Sequence, residues 1–110
     1  MAKFVKWDVV VVPFPFSDLT LAKRRPAFVL ASLNGDDIIL SQITSKMIKD
    51  PYAVVIEDTH FMEGGLRQTS NIRPNRLFTA DSNIILYKVG FLNTVKTNEV
   101  IEKVIEILRS

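Results

Sequence analysis

The chain has 110 residues, 47% hydrophobic and 24% charged, enough for one compact core and too few for two ordinary domains. With no cysteine and a single histidine, His60, it can build no disulfide framework, zinc finger or histidine cluster, so neither a cofactor nor a dedicated metal site is expected. Its 14 basic and 12 acidic residues leave a net charge of +2, too small for the total alone to mark a nucleic-acid binder.

The opening segment Met1 to Asp8 has basic residues but no continuous apolar stretch before a cleavage site. The longest apolar runs, Val9 to Phe16 and Ala27 to Leu33, fall below the roughly 18 consecutive apolar residues of a membrane span. No membrane span and a cytoplasmic location are therefore expected. The first strand runs from Asp8 to Pro13. The alternation Pro13-Phe14-Pro15-Phe16 then takes the chain out of the sheet, because proline has no amide to donate to a ladder. Three cations, Lys23, Arg24 and Arg25, stand directly before the next apolar run, and Pro26 biases Arg25 towards an extended backbone.

Asn34-Gly35 lies between apolar runs, so strands Arg25 to Leu33 and Asp37 to Ile43 should pair as an antiparallel hairpin whose turn needs positive φ. Arg25 begins one arm and Thr44 follows the other, which brings both to the same end of the sheet. Further strands are expected over Tyr52 to Glu57, Ser70 to Leu77 and Ile84 to Val89, separated by turn signals such as Asp50-Pro51 and Gly64-Gly65. Asp58 to Phe61 reads as a loop, which gives His60 little claim to an acid-base role despite its near-neutral titration range. A second group of cations, Arg67, Arg73 and Arg76, lies around the last long strand.

The tail is helical, with Val100, Ile101, Val104, Ile105 and Leu108 on one stripe, Thr97 as the expected N-cap and Glu99 in the first turn. Short strands with regular turns, no crossover helices and one terminal helix predict a mainly β fold. We expect a small, strongly curved barrel occupying residues 1–110 as a single domain.

The series Val9-Val10-Val11-Val12-Pro13-Phe14-Pro15-Phe16-Ser17-Asp18-Leu19, then Arg25-Pro26-Ala27-Phe28-Val29-Leu30, then Ile43-Thr44-Ser45, then Gly65-Leu66-Arg67-Gln68-Thr69-Ser70-Asn71-Ile72-Arg73, resembles the motifs of MazF/PemK toxins in order and spacing. The resemblance implies an SH3-like barrel with a C-terminal helix, the CcdB/PemK-type toxin barrel. It also implies a homodimer that cuts single-stranded RNA and is neutralised by a cognate antitoxin protein. It assigns catalysis to Arg25, before the proline of the Arg-Pro pair, and to Thr44 of the Ile-Thr-Ser element. The resemblance implies that Ser70, in the Gly-Leu segment, lies near the RNA; Lys23, Arg24, Ser45 and Arg73 are candidate RNA-binding residues beside it, with Arg76 a further auxiliary cation, although at Arg24 a solvated surface charge is the stronger reading. The chain departs from the pattern at Trp7, where the family commonly has glycine, and in the loop Thr20-Leu21-Ala22-Lys23, which lacks the usual glycine.

RNA needs no metal for cleavage when its own 2′-hydroxyl attacks the adjacent phosphate. The protein then has to align groups, manage protons and stabilise the crowded phosphorane. A guanidinium fork suits the charge-stabilising part, so Arg25 is read as the phosphate stabiliser; the resemblance implies that it also serves in proton transfer, a role left open here because a guanidinium is a poor base at neutral pH. Thr44 can donate its hydroxyl to a phosphate oxygen, although on the residues alone a cap on segment 45–49 is the stronger reading. Phe14 and Phe16 could stack on unpaired bases, but the surrounding valines favour core or dimer contacts. Two other readings stay open: a gyrase-poisoning barrel toxin, which the tail Ile107-Leu108-Arg109-Ser110 disfavours because it lacks a C-terminal tryptophan, and an RNA-binding barrel without catalysis.

Overall fold

A computed structural model describes residues 6–14 and 23–110. They form seven strands: β1 (Asp8–Phe14), β2 (Lys23–Ser32), β3 (Asp37–Thr44), β4 (Val54–Ile56), β5 (Phe61–Gly64), β6 (Ser70–Asp81) and β7 (Tyr87–Leu92). One helix, α1 (Thr94–Arg109), follows. All pairings are antiparallel in a single sheet of order β4-β6-β3-β2-β1-β7-β5. The molecule measures 31 × 30 × 30 Å, so the sheet is curled and not flat. Bulges at Val9/Val10, Val29/Ala31, Ser41/Gln42 and Phe61/Glu63 supply local bends. The result is the expected mainly β barrel with a terminal helix, in the form of a half-barrel with β4 and β5 at its edges.

The uninterrupted Val9-Val10-Val11-Val12 run has a physical cause: β1 is buried on both faces. Val10 and Val12 join Ala27, Val29, Ile38 and Leu40 in one apolar cluster, which Phe78, Ala80 and Ile84 cover. Val9 belongs to a second cluster on the opposite face, with Phe28, Ile43, Ile72, Leu92 and Val100. Helix α1 closes this second cluster through Val100, and burial fades along its stripe until Leu108 is 74% exposed.

The hairpin of β2 and β3 forms as predicted, with Ala27 opposite Gln42 and Val29 opposite Leu40. Its turn takes positive φ at Gly35 alone, and Leu33 N donates to Asp37 O across it. Other boundaries differ. The helix begins earlier than expected because the Asn93 side chain caps it, accepting from Lys96 N at 2.8 Å, while Thr97 is buried inside the first turn. Strand β4 is shorter because Tyr52 N donates to the Asp50 carboxylate and Ala53 N to Asp50 O, which folds residues 50–53 into a turn. Strand β7 starts three residues late and runs through Gly90, since Ser82–Ile84 forms a 3-10 turn capped by Asp81. The segment read as a loop holds a 3-10 turn, Asp58–His60, and edge strand β5.

Glycines decide two close approaches. Gly64 of β5 lies opposite Gly90 of β7, and a Cβ on either would drive into the other strand's backbone. Trp7 is the one non-glycine residue with positive φ among the described residues, at 86°. That geometry explains why glycine suits this position, and an L side chain there costs about 1–2 kcal/mol. Packing of the Trp7 ring against the second cluster offsets the strain, and its backbone joins β2 and β7 through Trp7 N to Val29 O and Leu92 N to Trp7 O.

Candidate functional site

Arg25 lies opposite Val12 on β1. Two positions along β2, Ala27 pairs with Gln42, so the same register brings Arg25 level with Thr44, and Thr44 pairs with Asn71 of β6. Arg25 and Thr44 line a single cavity of about 260 Å³ together with Gln42, Lys46, Arg73 and Phe78. Short-range strand rules are enough to create this convergence, because paired residues on adjacent strands share a face.

The supports differ in kind. Thr44 Oγ1 accepts from Lys46 N at 3.2 Å, so the hydroxyl does cap its own loop, as the residues alone suggested. Its hydrogen remains available to donate to another oxygen. Asn71 Nδ2 donates to Lys46 O at 3.5 Å, tying the same loop to β6. Arg73 is partly sequestered: its Nη2 lies 3.4 Å from Asp50 Oδ2, and its Nε is buried without a partner. Ser41 Oγ donates to Arg73 O at 2.6 Å where Pro74, Asn75 and Arg76 bulge out of the ladder between β3 and β6. Arg76 is exposed on that bulge.

Arg24 faces away from Arg25, because successive side chains of a strand alternate. It lines a second cavity of about 380 Å³ with Ser45, Arg67, Gln68, Ser70 and Tyr87. The residues singled out in the sequence therefore divide: Arg25, Thr44 and Arg73 share one cavity, while Arg24, Ser45 and Ser70 share the other. Ser70 is 3% exposed and its hydroxyl already donates to Gln68 O at 3.0 Å. Lys23 is exposed at the start of β2, opposite Phe14, and lines neither cavity. Phe16 and the loop 20–22 lie outside the described residues, as does the Phe14 side chain.

His60 has a structural task, since its Nδ1 accepts from Glu57 N at 2.9 Å and closes the 3-10 turn. Among the described residues no group of three or more His, Asp or Glu side chains is placed to hold a metal ion. No helix there is long and apolar enough to cross a membrane. Sequence reasoning passed over Lys46 and Asn71. The signal for Lys46 was its position two residues after Thr44, and that for Asn71 its place in the Gly-Leu motif.

A curled antiparallel half-barrel with a C-terminal helix, and a basic cavity at the open end of its central hairpin, define the class as a small β-barrel fold. The chain belongs to the PemK-like, MazF-like toxins of type II toxin-antitoxin systems, whose family model matches residues 6–108. Among solved structures, the MazE-MazF complex from Deinococcus radiodurans matches with a TM-score of 0.78 at 16% identity, over 96% of this chain and 96% of that one. The Mycobacterium tuberculosis toxin MazF-mt6 matches with a TM-score of 0.73 at 13% identity, over 93% and 96% of the two chains. An endoribonuclease in complex with its cognate antitoxin, from Mycobacterial species, matches with a TM-score of 0.72 at 11% identity over 96% and 93%. At such identities the likeness is one of fold. A sequence comparison with curated proteins finds no match.

Proposed function

We propose that this toxin is a metal-independent endoribonuclease that cuts single-stranded RNA, with messenger RNA the favoured target, by attack of a 2′-hydroxyl on the adjacent phosphate. The reading rests on one observation above others: Arg25 and Thr44 meet at one cavity from adjacent strands. The planar fork of Arg25 offers parallel donors to phosphate oxygens as negative charge builds up, and Thr44 offers a hydroxyl from a rigid strand end. Arg73 and Lys46 add positive charge to the same cavity, and Arg24 and Ser45 extend a polar surface on the other face of β2. The chemistry releases a 2′,3′-cyclic phosphate and a 5′-hydroxyl. The test is cleavage of a defined single-stranded RNA in excess chelator, beside the same strand carrying one 2′-deoxy nucleotide at the cut position. The expected result is cutting of the first and none of the second; a strict requirement for magnesium contradicts the reading.

The proposal extends to assembly. A homodimer is the assembly that the family resemblance implies, and an acidic antitoxin segment would occupy the basic cavity, in keeping with the antitoxin-bound structures among the matches. Light scattering at micromolar concentration should give twice the monomer mass; a monomer removes the dimer from the account.

A further inference from the structure

Along β3 the side chains of Ile38, Leu40, Gln42 and Thr44 share one face of the sheet, because residues two apart on a strand do. Ile38 and Leu40 are buried there in the cluster of Val10, Val12, Ala27 and Val29. The next position of the same row is polar. Gln42 is half-buried, stands opposite Ala27 on β2 and opposite Arg73 on β6, and lines the cavity of Arg25 and Thr44. None of the hydrogen bonds among the described residues engages its side-chain amide. A carboxamide set into an apolar row costs stability unless something pairs with it, which points to a partner outside the fold.

Thr44 lies two residues further along the strand, an offset of about 7 Å. That offset is comparable to the reach from a phosphate to the edge of its own base, so a nucleotide whose phosphate sits at Arg25 and Thr44 can lay its base edge on Gln42. Ala27, opposite, carries only a methyl group and leaves room for a planar ring, and Phe78 gives the cavity an aromatic wall. The surroundings then select among bases. Donors are in surplus, from the guanidinium groups of Arg25 and Arg73 and the hydroxyl of Thr44. Acceptors are scarce, since no carboxylate lines the cavity among the described residues and Thr44 Oγ1 already accepts from Lys46 N. Uracil and guanine present a carbonyl beside a ring N–H, whereas adenine and cytosine present an amino group beside a bare ring nitrogen. A keto edge brings its carbonyl to the donors, but an amino edge would set its N–H groups against theirs.

We propose that Gln42 is a specificity-determining residue that reads a keto base, uracil or guanine, in a nucleotide flanking the scissile phosphate, an assignment that rests on the ribonuclease reading above. Gln42 Nε2 donates to the base carbonyl, and Gln42 Oε1 accepts from the neighbouring ring N–H. A wrong base leaves the amide unpaired in its apolar row, and that loss is the source of the discrimination.

The test sequences the ends that wild type, Gln42→Met and Gln42→Ala produce from a pool of single-stranded RNA of random sequence. Methionine nearly keeps the shape of glutamine and suits the apolar row, so the fold should persist. Wild type should favour uracil or guanine over adenine and cytosine at one of the two positions flanking the cut, by on the order of 10 to 100-fold. Both variants should lose that preference at that position alone and keep the selectivity shown elsewhere, a pattern that a merely structural glutamine would not give. A keto preference that survives in Gln42→Met, or its absence from wild type at both flanking positions, overturns the assignment. A second arm measures binding of uncleavable 2′-deoxy strands that carry only keto or only amino bases. Wild-type protein that cuts nothing, yet binds the keto strand more tightly in a way that Gln42→Met abolishes, overturns the ribonuclease reading and leaves the base reading standing; no cutting and no such preference overturns both.

Discussion

Arg24 and Arg25 are chemically identical neighbours, yet they open onto different cavities on opposite faces of β2. Around Arg25 the partners come from β3 and β6 and the hydroxyl of Thr44 keeps its proton free to donate. Around Arg24 the walls are the Gly65 to Ser70 segment and β7, and the buried serine hydroxyl is already committed to Gln68 O. The contrast teaches that a cluster of cations in a strand carries two roles interleaved, and that residue parity, set by the pleat, assigns them. Chemistry is expected on the Arg25 side and substrate holding on the Arg24 side.

The sharpest break of that symmetry is the paired truncation. Arg25→Ala should lower single-turnover cleavage on the order of 100 to 1,000-fold, as loss of a preorganised charge donor does. Arg24→Ala should leave the rate at saturating RNA within a few fold while weakening affinity and flattening its dependence on salt. Equal effects of the two on the cleavage step would dissolve the distinction. A smaller effect sharpens the other side: Ser70→Ala removes a hydrogen bond internal to the second cavity's wall, so thermal unfolding should report a loss of about 1 kcal/mol. Cleavage by this variant should stay near wild type, and a large kinetic defect at unchanged stability would place Ser70 in contact with the reacting RNA.

How much of this was legible beforehand depended on the range of the interactions involved. The hairpin of β2 and β3 and the meeting of Arg25 with Thr44 were legible, since a turn signal and a register fix both. The Val9 to Val12 run announced a strand, and only the fold explained its lack of alternation, through burial on two faces. Strand β5 left no pattern to read: it is four residues long, mostly exposed, and its partner Gly90 is far away in sequence. The N-cap was misread because Asn93 and Thr97 are both good caps, and packing of Thr97 and Val100 under the sheet chose between them. Asn71 and the Arg73 pair with Asp50 were hidden for the same reason as β5, since β6 reaches the cavity across a long-range pairing and a three-residue bulge.

The central claim is that Arg25 and Thr44 act on the transition state at one site, and charge can be separated from geometry there. Arg25→Lys keeps the positive charge but loses the bidentate fork, and Thr44→Val keeps the shape but loses the hydroxyl. The decisive measurement is single-turnover cleavage by both variants set beside their equilibrium binding of an uncleavable 2′-deoxy analogue. An interaction formed mainly in the transition state lowers rate more than affinity, so each variant should cut on the order of 100-fold more slowly while binding within a few fold of wild type. Near wild-type cleavage by either variant, or a loss of rate that merely follows a loss of binding, would contradict the account.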